Sequence, residues 1–112
     1  MDERLYRQIV EGSPDAVIHG DSKGVIRLWN AGATAIFGFT AEEALGKSMD
    51  IIIPERLRNR HWDGYYRTMA SGVSRYGAGD LLAVPAITKD GQTISIEFTI
   101  QMLKGPAGEI LG

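Results

Sequence analysis

Along the first third of the chain, hydrophobic residues alternate between helical and strand spacing. Leu5, Tyr6, Ile9 and Val10 share one helical stripe, with Glu3, Arg4, Arg7 and Gln8 off it. This spacing predicts a short amphipathic helix over 2–11, ending before Gly12-Ser13-Pro14. A helix this short is marginal in water, so its stripe is expected to dock on another surface. Ala16-Val17-Ile18-His19 and Val25-Ile26-Arg27-Leu28-Trp29 read as two strands of a hairpin joined by the turn cluster Asp21-Ser22-Lys23-Gly24. Asn30 suits the N-cap of a helix through Phe37, which Gly38 stops. Thr40-Ala41-Glu42-Glu43 has the form of a capping box, and Gly46 closes the brief helix it starts.

Beyond Pro54 the period is helical again. Leu57, His61, Tyr65 and Met69 recur every four residues, with Trp62 and Tyr66 on the adjoining face. One helix over 55–71 is expected, with Gly64 a point where it can break in two. Asp80–Thr88 reads as a strand, and Pro85 inside it makes that strand an edge, because proline donates no ladder hydrogen bond. Lys89-Asp90-Gly91-Gln92 predicts a type I′ hairpin turn. From Thr93 to Leu103 the alternation is clean: Ile94, Ile96, Phe98, Ile100 and Met102 on one side, Ser95, Glu97, Thr99 and Gln101 on the other. After the turn Gly105-Pro106-Ala107-Gly108, Ile110-Leu111-Gly112 looks like a strand beginning. Helix, hairpin, short helices and hairpin imply an α+β fold, an antiparallel sheet with helices on one face.

Composition narrows the function. At 112 residues the chain is one domain. It has no cysteine, which removes disulfides, thiolate metal sites and cysteine nucleophiles. A formal charge of −2 offers no long-range attraction for nucleic acid or anionic lipid. No apolar run approaches the roughly 18–20 residues of a membrane span, and the N-terminus has no signal-peptide pattern, as in a cytoplasmic protein. Its 14 glycines, one residue in eight, indicate many turns and short strands.

Several pieces together resemble the PAS family: Ser13-Pro14-Asp15-Ala16, Gly24-Val25-Ile26, Trp29-Asn30-Ala31-Gly32-Ala33, Phe37 to Lys47, Ile53-Pro54-Glu55, Lys89-Asp90-Gly91 and Gly105 to Glu109. The resemblance divides the chain into an N-terminal helix, residues 1–12, and a PAS domain, residues 13–112. It implies a sheet of order 2-1-5-4-3 with short helices on one face. The fifth strand is then central and truncated, only Ile110-Leu111-Gly112 of it being present, so the parent protein is expected to continue past Gly112. It further implies a sensory module in signal transduction, with its output domain in the same polypeptide. Histidine kinases of two-component systems and diguanylate cyclases are examples. The Leu5, Tyr6, Ile9 and Val10 stripe is expected to dock on the sheet's outer face or on a second copy, giving a homodimer.

The segment Arg60-His61-Trp62-Asp63-Gly64-Tyr65 is similar to the heme-binding PAS domains of oxygen-sensing histidine kinases. Their iron-ligating histidine aligns with Trp62 and their distal arginine with Leu81 or Leu82. Indole nitrogen only donates and leucine bonds nothing, so both positions lack their chemistry. His61, one position away, is the residue that a heme or another cofactor could use; it also reads as a structural histidine. His61, Trp62, Tyr65, Met69, Leu82, Ile96 and Phe98 are the candidate lining of a small-molecule pocket between helix and sheet, or equally a filled core. The cofactor is left unknown. Flavin adduct chemistry is excluded by the missing cysteine. His19 has no companion at metal-ligand spacing, and no metal site is expected. Lys47, Arg56, Arg58, Arg60 and Arg67 could clamp carboxylates or form a solvated face. No activated nucleophile or acid–base pair appears, so the chain does not read as an enzyme. The alternatives are a ligand-free dimerisation module and a heme-based gas or redox sensor.

Overall fold

In the computed structural model, which describes residues 2–112, α1 runs Glu3–Gly12 with Asp2 as its N-cap, the Asp2 carboxylate accepting from Leu5 N–H at 3.0 Å. Strands β1 (Ile18–Gly20) and β2 (Ile26–Trp29) pair antiparallel, with Ile18 opposite Trp29, His19 opposite Leu28 and Gly20 opposite Ile26. Arg27 is the extra residue of a bulge in that ladder. Asp21 builds the connecting turn: its Oδ1 accepts from Lys23 N–H at 2.9 Å and Val25 N–H at 3.0 Å, and its Oδ2 pairs with Arg27 Nε at 2.9 Å.

Helix α2 (Ala31–Phe37) starts at Asn30, whose Oδ1 accepts from Ala33 N–H at 3.0 Å. Helix α3 (Ala41–Ala44) carries the predicted capping box complete, with Glu43 N–H donating to Thr40 Oγ1 and Thr40 N–H donating to Glu43 Oε1. Two 3-10 turns follow, Met49–Ile52 and Glu55–Leu57. Then α4 runs Arg58–Ser71 without a break at Gly64. One glycine costs such a helix only about 1 kcal/mol, and the side chains flanking it are anchored, as described below.

Strands β3 (Leu82–Ile87) and β4 (Thr93–Phe98) form a second antiparallel pair, Leu82 opposite Phe98 through Ile87 opposite Thr93. Both are shorter than the alternation predicts. β3 pairs with β4 alone, which leaves Pro85 on an edge strand as its missing N–H requires. The turn is not type I′. That form needs positive φ at two residues, and only Gly91 has it, at 80°. Instead Gly91 N–H closes on Thr88 C=O and Thr88 N–H reaches Gln92 C=O, a three-residue loop over Lys89-Asp90-Gly91.

Past Phe98 the ladder stops. Lys104 bridges Ile110, Leu111 N–H donates to Leu103 C=O at 2.8 Å, and Leu103 N–H donates to Gly112 C=O at 2.9 Å. On the other side, His19 Nε2 lies 3.1 Å from Leu111 C=O. Ile110–Gly112 therefore touches both β1 and the chain beyond β4, while the regular strands remain two separate two-stranded ladders.

Among the described residues the buried hydrophobic side chains are few: Ile26, Trp29, Ala33, Phe37, Ala44 and Ala86. Trp29 is central. Its ring lies 5.7 Å from Phe37 and 6.2 Å from Phe39, and its N–H donates to Thr34 Oγ1 and Phe39 C=O. Helix α4 contributes no fully buried residue. The α1 stripe stays open, Leu5 being 43% exposed and Tyr6 and Ile9 56%. No helix among the described residues is long and apolar enough to cross a membrane.

An aromatic cluster seats helix α4 on the first hairpin

Helical spacing brings His61, Trp62, Tyr65 and Tyr66 to neighbouring faces of α4. His61 stands edge-on to Trp62 at 4.6 Å and 5.6 Å from Tyr65, and Trp62 stacks on Tyr66 at 5.5 Å. Trp62 and Tyr65 each reach a different segment of the chain. Trp62 Nε1–H donates to Asp50 Oδ1 at 2.6 Å, in the 3-10 turn Met49–Ile52. Tyr65 O–H donates to Asp21 C=O, in the β1–β2 turn. The Trp62 ring lies directly on Gly24, where a Cβ would collide with it. Gly24 also has φ of 81°, so it meets two demands that a side chain would violate.

Trp62 and Tyr65 thus spend their polar groups on Asp50 and Asp21. His61 Nδ1 is buried and has no hydrogen-bond partner. Burial holds the His61 imidazole below its ordinary pKa, against the opposing pull of the Asp50 carboxylate. Burial, with the nearby Asp21 charge and Tyr66, pushes the Tyr65 phenol up to about 12. Both groups are therefore neutral at pH 7.

The other predicted lining residues lie apart in the contact pattern. Met69 is half-buried two turns along α4. Leu82 and Phe98 face each other across β3 and β4, and Ile96, opposite Val84, packs against the core. No hydrogen bond or ring contact among the described residues joins them to His61, Trp62 and Tyr65. Two open concavities lie elsewhere. One of about 420 Å³ is bounded by Glu11, Arg27, Trp29 and Leu45, the other of about 410 Å³ by Val73, Tyr76, Met102 and Lys104. Arg58 is not free to clamp a carboxylate ligand. Its guanidinium donates to Ile53 C=O at 3.1 Å and Asp50 C=O at 3.3 Å. No group of three His, Cys, Asp or Glu that could hold a metal occurs among the described residues.

Sequence reasoning missed Asp50, Gly24 and the Asp21 carbonyl as partners of the cluster. Nothing in their spacing reports them, because they meet α4 only through the tertiary fold. It also gave Asn30 only its cap. The same side chain accepts from Val17 N–H at 2.8 Å and donates to Val10 C=O at 2.8 Å and Asp15 C=O at 2.9 Å.

The model of the PAS fold family matches residues 4–112. The chain belongs to the PAS family. A solved PAS domain of a protein from Colwellia psychrerythraea superposes on 97% of this chain and 88% of its own, with a TM-score of 0.80 at 17% identity. Sensor protein FixL of Bradyrhizobium diazoefficiens is 34% identical over 105 residues, which is 88% of this PAS domain and 19% of FixL. An uncharacterised protein of Azorhizobium caulinodans is 36% identical over 99 residues, 88% of this chain and 13% of that protein. The PAS domain thus spans under a fifth of the length of these relatives.

Proposed function

We propose that this PAS domain is a non-catalytic input module that reports the state of a small molecule to an output domain in the same polypeptide. Histidine kinase and diguanylate cyclase outputs fit this reading, and the setting is cytoplasmic. The observation that carries it is the 34% identity to a sensor protein across 88% of the chain. The ligand would sit between α4 and the sheet, against His61, Trp62, Tyr65 and Met69 on one side and Leu82, Ile96 and Phe98 on the other. The unpartnered His61 Nδ1 supports this placement, since it is the polar atom there left to accept a hydrogen bond from a guest. The domain would work as a homodimer through the exposed Leu5, Tyr6 and Ile9 stripe, without nucleic acid or membrane contact.

The residues present do not fit heme in the manner of the similar oxygen sensors. Trp62 spends its ring N–H on Asp50 and cannot ligate, and Leu82 is apolar and faces Phe98. Purified protein should therefore lack a Soret band; a stoichiometric band lost in His61→Ala would reverse that assignment. Native mass spectrometry and solvent extraction of the same sample test the main reading. A retained small molecule that Trp62→Ala loses is the expected result. No retained molecule, with a stable dimer, would favour the ligand-free dimerisation module instead.

A further inference from the structure

The seat of α4 contains one group whose charge state changes near neutral pH, and it is placed where charge is unwelcome. His61 lies against both the Trp62 and Tyr65 rings, its Nδ1 buried and unpartnered. We infer that His61 makes the seating of α4 on the β1–β2 turn sensitive to mild acid: protonation of its ring loosens the seat and deprotonation restores it.

The neighbouring groups decide the sign. A protonated ring must donate from both nitrogens, and Nδ1 has no acceptor to donate to. The Asp50 and Asp21 carboxylates already carry partners. From the 3-10 turn, Asp50 Oδ1 takes the Trp62 N–H at 2.6 Å and lies 4.0 Å from the Arg58 guanidinium. From the β1–β2 turn, the Asp21 carboxylate holds two backbone amides and Arg27, and its carbonyl holds the Tyr65 hydroxyl. On α4 itself, Arg58 adds positive charge at the Asp50 end, and Tyr65 stays neutral. The Asp50 carboxylate attracts an imidazolium, but the burial cost outweighs it, which leaves the ring less basic than in an open chain. The unseated state therefore binds the proton more readily than the seated one. Seating is favoured above the ordinary histidine value and is progressively lost as pH falls through that value towards the lowered one. What loosens is specific: Trp62 leaves Gly24 and Asp50, and Tyr65 leaves Asp21, while the core around Ile26, Trp29 and Phe37 contains none of these groups.

This inference does not require a bound ligand, so it stands or falls separately from the proposed function. The test is a reversible titration of the purified chain from about pH 7.5 to about pH 5.0, spanning the usual histidine range. The His61 ring protons are followed by NMR, assigned with a His19→Gln variant, and the aromatic near-UV circular dichroism is followed in parallel. The His61 midpoint should fall below 6.5, the value of an unperturbed histidine, and the dichroism should drop with the same midpoint while far-UV dichroism largely persists. His61→Gln should keep the neutral-pH spectrum and abolish the acid step. The inference is overturned by a His61 midpoint at or above the unperturbed value, by a ring titration that leaves the dichroism unchanged, or by an acid step that survives in His61→Gln. The NMR titration reads the unsubstituted protein, so it decides the matter even where the glutamine variant fails to fold.

Discussion

Replacing Asn30 should damage the fold more than the loss of one helix cap. The side chain is 3% exposed and makes four short hydrogen bonds, tying the end of α1, the loop before β1 and the start of α2 to one point. Asn30→Ala removes the cap, worth about 1 kcal/mol. It also strands the Val17 N–H and the Val10 and Asp15 carbonyls, at about 1–3 kcal/mol for each group that water cannot reach. The sum is roughly 3–5 kcal/mol once partial hydration is allowed. For 112 residues the entropy of unfolding makes this about 4 °C per kcal/mol, so a fall in Tm of roughly 12–20 °C is expected. Asn30→Asp isolates the donors. Aspartate caps as well as asparagine does, so the Ala33 and Val17 bonds survive. The carboxylate then faces two carbonyls, and a loss of about 2–4 kcal/mol is expected at pH 7.5. That environment raises the carboxyl's folded-state pKa, because protonation restores a donor. The penalty of the Asn30→Asp change, present at neutral pH, should therefore shrink as pH falls below that raised value. Differential scanning calorimetry of both variants from about pH 7.5 to about pH 4 provides the measurement. An Asn30→Asp variant that melts with the unsubstituted protein at pH 7.5 would refute the donor role.

Gly24→Ala combines a left-handed backbone cost of roughly 1–2 kcal/mol with roughly 1–3 kcal/mol for crowding the Trp62 ring; an unchanged urea midpoint would mean that Trp62 does not rest on Gly24. Trp62→Phe keeps an aromatic ring but drops the bond to Asp50, costing about 1 kcal/mol because that carboxylate is partly exposed, and in an Asp50→Ala background the same change should cost less in a double-mutant cycle. Glu43 is held below the ordinary glutamate pKa by the Lys89 ammonium and the Thr40 amide. Its contribution is present above the unfolded value near 4.5 and lost as pH falls through the depressed one. Lys89→Met should therefore flatten the dependence of Tm on pH across the carboxylate range, while Thr40 and Glu43 still cap α3; an unaltered pH profile would show that the pair contributes nothing.

Local rules carried most of the elements. The Thr40 and Glu43 reciprocal cap, the Asn30 start, the Pro85 edge and the α1 stripe each depend on neighbours within a few residues, and each is legible from the sequence. The errors share a cause. Alternation continues to Met102, yet β4 ends at Phe98, because a strand needs a partner and β3 supplies one only from Leu82 onward. Asp90-Gly91 suggests a two-residue turn, but beyond the Ile87 and Thr93 pair the Thr88 N–H still bonds Gln92 C=O, which leaves Lys89-Asp90-Gly91 to close it. The PAS fold itself was legible because many weak pieces stand in order. Within the site, the face carrying His61, Trp62 and Tyr65 followed from helical spacing. That this face meets Asp21, Gly24 and Asp50 did not, since those contacts span from 12 to 44 positions.

The β3–β4 hairpin is fixed at its turn. Lys89 N–H donates to Phe37 C=O and the Lys89 ammonium pairs with Glu43. At the far end, the Leu82 and Phe98 pair has no comparable tether among the described hydrogen bonds, and the adjoining Leu81 is 64% exposed. Mechanically this is a lever with its pivot at Lys89. From Lys89 back to Leu82 the arm is about 23 Å, so a tilt of about 5° carries the Leu82 end through about 2 Å while the turn hardly moves. Any tilt of the hairpin at the capped helices would therefore be largest, as a displacement, at the Leu82 and Phe98 edge of the domain.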